Sequence, residues 1–285
     1  MEFFDDIENT MLFMYDNNRK ETRYMDEIRQ HQEDLQRLRG FRLMDDDFMN
    51  ACLDDNIEAT ELILRIILQK PDITVTSAKT QRRLKNLLGR DVCLDVDAKD
   101  SSGKEYDIEV QRADKGADRK RARYHSSIMD AHLLKPGEDY ANLPETYVIF
   151  ITEHDVIGGH LPIYTIERII TNMGQSFNDG EHIIYVNGED KNGTTELGKL
   201  MHDFSCTNAN DMYFDVLAKK VRYFKEDERG IEVMCKVMED MRDQVRIDNA
   251  IEMLKDGLSE EKVAQYSGLS LEKVKKIAED ILLMA

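Results

Sequence analysis

Residues 91–112 constrain this chain more tightly than any other segment. They read Asp91-Val-Cys-Leu-Asp95-Val-Asp97-Ala-Lys-Asp100, then Ser101-Ser102-Gly103, then Lys104-Glu-Tyr-Asp107-Ile-Glu109-Val-Gln111-Arg112. Apolar and polar residues alternate with period 2 in both runs, the pattern of a half-buried strand. Leu94 and Val96 are expected on one face with Asp95 and Asp97 on the other; Ile108 and Val110 stand against Asp107, Glu109 and Gln111 in the same way. Ser101-Ser102-Gly103 suits a three-residue hairpin loop, with Gly where a positive φ is needed. That loop pairs Asp100 with Lys104, and so sets Asp95 against Glu109 and Asp97 against Asp107. Like charges directly opposite one another destabilise a sheet. A hard divalent cation taking oxygen ligands would offset the repulsion. On alternation alone, a solvated edge hairpin is the more economical reading, because wet sheet faces are common and 57 of the 285 residues are acidic.

The charge balance is uneven. A net charge of −18 argues against general nucleic-acid binding, which normally relies on clustered Lys and Arg. Yet Arg112, Lys115, Arg119, Lys120, Arg121 and Arg123 crowd the segment that follows the acidic strand, against only Asp114 and Asp118. An acidic hairpin beside a basic helix suits a phosphodiester substrate; a solvated helix face in an acidic protein is the other reading. Cys52, Cys93, Cys206 and Cys235 are scattered without a Cys-x-x-Cys pair, which points to free thiols in a reducing cytosol. The chain shows no apolar run long enough for a membrane span and no apolar signal core at Met-Glu-Phe-Phe-Asp-Asp.

The expected organisation is a charged helical arm over residues 5–39, a helix from Asp46 to Gln69 ended by Pro71, and a short strand at Ile73–Thr76. The hairpin follows, then a helix from about Gly116 to Leu134 and a buried strand from Thr146 to Thr152. Ile163–Met173 is a short strand or helical segment, His182–Asn187 another strand, and helices cover about 194–204, 209–224 and 229–247. Beyond residue 250, Ser259 and Ser270 stand where each would cap a short helix, joined through Ser267-Gly268 in the manner of a helix-turn-helix. A small helical pair packing on the core or on another subunit is favoured there. The second helix offers Lys273, Lys275 and Lys276 but not the Arg or Asn that usually read base edges.

Leu94-Asp95-Val96, a short turn and Ile108-Glu109-Val110-Gln111-Arg112 resemble the core of PD-(D/E)XK nucleases, in particular the Rpn-type recombination-promoting nucleases and transposases in their Glu-x-Gln form. Phe41–Phe48, Asn56-Ile-Glu58, Leu64–Leu68, Lys85–Arg90, Ala122-Arg123-Tyr124, Leu143–Thr152, Leu161–Tyr164 and Met201–Cys206 continue the resemblance in order. It covers about residues 41–243, leaving a helical N-terminal arm at 1–40 and a helical tail at 244–285. The resemblance implies an α/β restriction-endonuclease-like core, a mixed central sheet flanked by helices. It implies that Asp95 and Glu109 hold Mg²⁺ or Mn²⁺, joined by Glu58 from the first helix, with Glu61 as the alternative one turn on. Gln111 occupies the position of the family's usual lysine; it can orient water but carries no charge. Lys115 or Arg121 would supply that charge, and Arg112, Arg119, Lys120 and Arg123 would meet DNA.

The expected protein is therefore a cytoplasmic, metal-dependent DNA endonuclease that promotes recombination. The alternative is a scaffold that has lost catalysis and acts as a DNA- or protein-binding module. Residues 1–40 could shield the site or pair with a second copy in a homodimer.

Overall fold

The computed structural model describes Met25 and residues 28–86 and 89–284. Most of the expected N-terminal arm lies outside the described residues. Residues 28–40 are helical (α1). The chain divides into two compact units: residues 28–37 group with the segment from Glu228 onward, and Leu38–Asp227 form the other.

Within Leu38–Asp227, the hairpin sets the frame. Gly103 has φ +87°, and the Asp100 N–H reaches the Lys104 carbonyl at 3.1 Å. β2 (Val92–Asp100) and β3 (Glu105–Gln111) pair antiparallel from Val96 with Ile108 to Lys99 with Glu105, bringing Asp97 opposite Asp107 as the loop length dictates. β1 (Val75–Leu84) is longer than the expected strand at 73–76 and pairs antiparallel with β2. It lies at the sheet edge, and its Lys79, Arg82 and Arg83 are charges of the kind that discourage strand addition there.

β4 (Thr146–Thr152) is buried at every position and runs parallel to β3, as the continuous Val/Ile run predicts for a central strand. β5 (Ile163–Ile166) precedes a small separate hairpin of β6 (Ile169–Ile170) and β7 (Gln175–Ser176). β8 (Glu181–Asn187) lies between β4 and β5, giving a mixed six-stranded sheet in the order β1-β2-β3-β4-β8-β5.

The continuous helix expected over 46–69 is instead two. α2 (Asp46–Leu53) ends at Asp54, Asp55 takes φ +52°, and Asn56 caps α3 (Ile57–Leu68) by accepting the Ala59 N–H at 3.3 Å. Asp and Asn favour such breaks because their side chains compete for local backbone groups. α2 packs on β1 and β2, whereas α3 packs on β1 and on α5 (Glu196–Ser205). α6 (Asp215–Glu226) packs against α2 and α3.

α4 (Arg119–Leu133) covers β4 and β8 and places Ala122, Ile128 and Met129 in a core with Leu94, Val148 and Phe150. Because of this cover, the acidic side of the hairpin is not the wet face that simple alternation suggests: Glu105 through Val110 are all buried. Alternation also breaks in β2. Gln81 of β1 takes φ +55° between the pairs Thr80–Val96 and Arg82–Leu94, opposite Asp95. Leu94 and Asp97 then line one small cavity together with Met129 of α4.

In the other unit, Arg242 of α7 (Glu228–Lys255) forks onto the buried Asp34 carboxylate at 2.6 and 2.9 Å. α7 is a single helix, extending past the expected end at 247. Ala250 of α7 meets Val263 of α8 (Glu260–Ser267) and Val274 of α9 (Leu271–Met284) in a small core. Gly268 ends α8 at φ +72°, and Ser270 accepts the Lys273 N–H at 3.2 Å as its capping pattern predicts. Ser259 does not cap α8.

Candidate active site

Asp95 and Glu109 are laced together through their backbones. The Asp95 N–H donates to Glu109 Oε1 at 3.0 Å, and the Val110 N–H donates to Asp95 Oδ2 at 3.1 Å. These bonds take over where the ladder between β2 and β3 stops at Val96 and Ile108. Glu109 is fully buried and Asp95 nearly so. Arg121, on the first turn of α4, reaches Glu109 Oε2 at 2.6 Å with one terminal nitrogen and the Gly116 carbonyl at 2.9 Å with the other. Its Nε donates to His125 Nε2 at 3.3 Å, and His125 Nδ1 lies 2.9 Å from Asp107 Oδ2. An Nε2 that accepts from Arg121 leaves the proton on Nδ1, facing Asp107.

The electrostatics follow from crowding. Burial first, then the charges of Glu109 and Asp46, push the Asp95 carboxyl up to about 8. Burial and Asp107 push Glu109 to about 8 against the pull of His125, Arg121 and the Asp95 N–H. Asp107 is raised well above the ordinary carboxylate range, again chiefly by burial and then by Asp95. Burial lowers His125. Among the described residues, Asp107 Oδ1 is buried with no hydrogen-bond partner. Oxygens of Asp107 and Glu109 and a ring nitrogen of His125 all lie within 4.8 Å of one another. The opposition of Asp97 and Asp107 is resolved without an ion, because Arg82 pairs with Asp97 at 2.6 Å and His125 with Asp107. For Asp95 and Glu109 the cation is Arg121, which pairs with Glu109 at 2.6 Å.

The other expected site residues disperse. Gln111 ends β3 half-buried, its amide oxygen set against the α-carbon of Gly116 where any side chain would collide. Arg112 is held by Asp45 at 2.7 Å and Glu153 at 3.4 Å, and Arg119 lines an apolar hollow with Ile157 and Tyr164. Glu58 is exposed on the first turn of α3. Glu61 accepts the Val75 N–H at 2.9 Å and pairs with Arg65 at 2.7 Å, which fastens α3 to the start of β1.

Sequence reasoning passed over two residues that do reach the site. Asp46, on α2, is the helix acid whose charge acts on Asp95, and burial raises its own carboxyl. His125 was signalled only by its spacing of four from Arg121, which puts both on one helix face.

Beside the carboxylates opens a cleft of about 1080 Å³, lined by Arg90, Lys115, Lys120, Arg121 and Arg123. Its two acids are engaged elsewhere: Asp91 accepts the Asn86 N–H, and Asp118 caps α4 through the Lys120 N–H at 2.7 Å. The N-terminus of α4 meets this cleft, adding its partial positive charge to the five cations.

A family model of the PD-(D/E)XK nuclease family transposases matches residues 47–253. The chain belongs to this family. No curated protein and no solved structure matches it. Membership accords with the mixed sheet and its flanking helices, and makes the chain a nuclease-family protein. Divalent metals are usual in the family, and the acidic group on β3 supplies donors of that kind. Among the described residues, no helix is long and apolar enough to cross a membrane.

Proposed function

We propose that this protein is a divalent-metal-dependent DNA endonuclease of the recombination-promoting type, acting in the cytoplasm. The observation that carries the reading is the buried pair Asp95 and Glu109, with Asp95 raised further by the Glu109 charge and Glu109 by that of Asp107, beside the basic cleft that Arg121 and His125 line. Such a pair fits Mg²⁺ or Mn²⁺ because a hard cation reverses the like-charge penalty and favours oxygen donors. Asp95 and Glu109 would hold the ion, with Asp46 as the neighbouring helix acid in the role expected of Glu58. When bound, the ion supplies Lewis-acid polarisation of the scissile phosphodiester.

The remaining work falls to the chain's own groups. Lys115, Lys120 and Arg123 hold the phosphate backbone in the cleft, helped by the α4 N-terminus. Arg121 supplies the positive charge that Gln111 lacks, because it already sits against Glu109 and opens onto the cleft. Gln111 orients the attacking water through its amide. His125, neutral and anchored on Asp107, keeps Arg121 directed at Glu109. The four cysteines, all free, suit a reducing compartment.

One observation favours a catalytically silent scaffold: Glu109 is fully buried behind Arg121. Cleavage of supercoiled plasmid with Mg²⁺ or Mn²⁺ separates the two readings. Nicking by the wild type that disappears in Glu109→Ala and with EDTA supports the nuclease. No cleavage of any DNA form by a protein that still binds DNA would establish the scaffold.

A further inference from the structure

α4 packs chiefly on β4 and β8, and β5 continues the sheet beyond them at its edge. Tyr164 and Ile166 of β5 pair across the ladder with Tyr185 and Ile183 of β8. Residues two apart along a strand share a face, so the four side chains stand together. With Ile157 from the loop after β4, and Arg119 and Ala122 of α4, they line a hollow of about 400 Å³. Most of its wall is apolar, and a few polar groups converge on it, the usual make-up of a ligand pocket.

Those polar groups lack partners. Tyr185 is 2% exposed and its ring stacks on Phe150 at 5.4 Å between centroids, yet among the described residues its hydroxyl has no hydrogen-bond partner. Burial pushes that hydroxyl up to about 12, and the charges of Asp118, Arg119 and Arg121 act on it, which sets it by the N-terminus of α4. An unpaired buried hydroxyl is costly, and an acceptor brought into the hollow removes the cost. Arg119 is exposed and, among the described residues, has no ion-pair partner. A guanidinium only donates, and a tyrosine hydroxyl can do the same. The hollow therefore fits a flat ring with apolar faces and acceptors along one edge. Its neighbour supplies such a ring. Asp118, Lys120 and Arg121 line the basic cleft, whereas Arg119 and Ala122 of the same stretch of α4 line the hollow. A phosphate-binding wall thus lies next to an apolar pocket, the arrangement that holds a strand by its backbone and takes one base out of the stack.

Resting on the DNA reading above, we propose that this hollow is a base pocket, which receives one unstacked nucleobase of the DNA held in the cleft, guanine before the others. Guanine presents O6 and N7 as adjacent acceptors that a guanidinium can engage together, whereas adenine carries a donor in place of O6. Arg119 and the Tyr185 hydroxyl serve that edge, and Ile157, Ile166 and Ile183 supply the apolar packing.

The test is binding of the full chain to labelled duplexes, followed by fluorescence anisotropy in EDTA so that metal-dependent cleavage does not intervene. Four otherwise identical duplexes are compared: fully paired, or with one extra unpaired guanine, adenine or abasic residue at the centre. The wild type should bind the guanine bulge at least tenfold tighter than the abasic bulge, with adenine between them. Ile166→Trp, at an exposed position on the rim, should fill the hollow and abolish the preference. Tyr185→Phe should reduce it at least threefold, and both variants should bind the fully paired duplex as the wild type does. Should Tyr185→Phe fail to fold, Arg119→Met on the exposed first turn of α4 replaces it, with the guanine–adenine difference expected to vanish. Equal affinity of the wild type for all four duplexes, or a guanine preference that survives Ile166→Trp, overturns the base pocket while leaving the nuclease reading intact. No binding to any of the duplexes would overturn both.

Discussion

Removing one carboxylate from the acidic hairpin should change how stability depends on pH, and Glu109→Gln is the sharpest perturbation. Without metal, Asp95 and Glu109 keep their protons in the folded state up to about pH 8, whereas in the unfolded chain they lose them near pH 4. A folded pKa raised above the unfolded one means that the native state binds more protons between those values. Stability is then lost as pH rises through that interval. The slope is about 1.4 kcal/mol per pH unit for each proton retained. For a unit the size of Leu38–Asp227, that corresponds to about 3–5 °C of melting temperature per pH unit. The clean window is pH 7–8: His125, lowered by burial in the folded state and near 6.5 in the unfolded chain, is largely neutral in both states there, and Lys225, lowered by burial to about 8, contributes mainly above it.

In EDTA, the wild-type melting temperature should fall across this window. Glu109→Gln should flatten the fall by at least one proton's worth, because removing this charge also relieves Asp95 and Asp107. Millimolar Mn²⁺ should abolish the wild-type slope, since bound carboxylates are ionised at every pH in the window. A wild-type melting temperature independent of pH in EDTA, or an identical slope in Glu109→Gln, would refute the crowding argument.

Four other substitutions test separate parts of the reasoning. Asp46→Asn should cut plasmid cleavage by roughly 10–100-fold, as loss of a group supporting a metal site does. Glu58→Gln, on the exposed first turn of α3, should leave cleavage unchanged; the reverse ranking would return the helix role to Glu58. Gly116→Ala should act through Gln111, because the new methyl group occupies the place of its amide oxygen. Its cleavage rate should match that of Gln111→Ala while its melting curve stays close to wild type, and normal cleavage would remove Gln111 from the mechanism. Asn56→Ala deletes the cap that starts α3 and should cost about 1 kcal/mol in urea denaturation; no loss would mean that the break between α2 and α3 is held by packing alone.

The hairpin was legible because loop length and period 2 are local rules. Gly103 at positive φ fixes the register, and the register sets Asp97 against Asp107. β4 was legible for the same reason, being apolar at nearly every position and buried at all of them. What the sequence hid was cover. Alternation reports that two faces differ, not that one is wet, and α4 lies over the polar face of β3. Its basic residues then divide by turn of helix: Arg121 points at the carboxylates, Lys120 and Arg123 at the cleft, and Arg119 at an apolar hollow.

Asp46 was hidden by its neighbours. Asp45, Asp46 and Asp47 are equivalent as letters, and only the break at Asp55 and the packing of α2 on β2 bring Asp46 within electrostatic reach of Asp95. That break also explains Glu58. On a continuous helix it would have been the next acid along toward the site, but α3 starts anew and gives its acids other surroundings. Glu61 binds the head of β1, and Glu58 faces solvent. The carboxylates a metal would need are thus recruited by a strand register and one capped helix break. Both are written in short-range signals, and each acquires its meaning only once α2 and α4 close over the sheet.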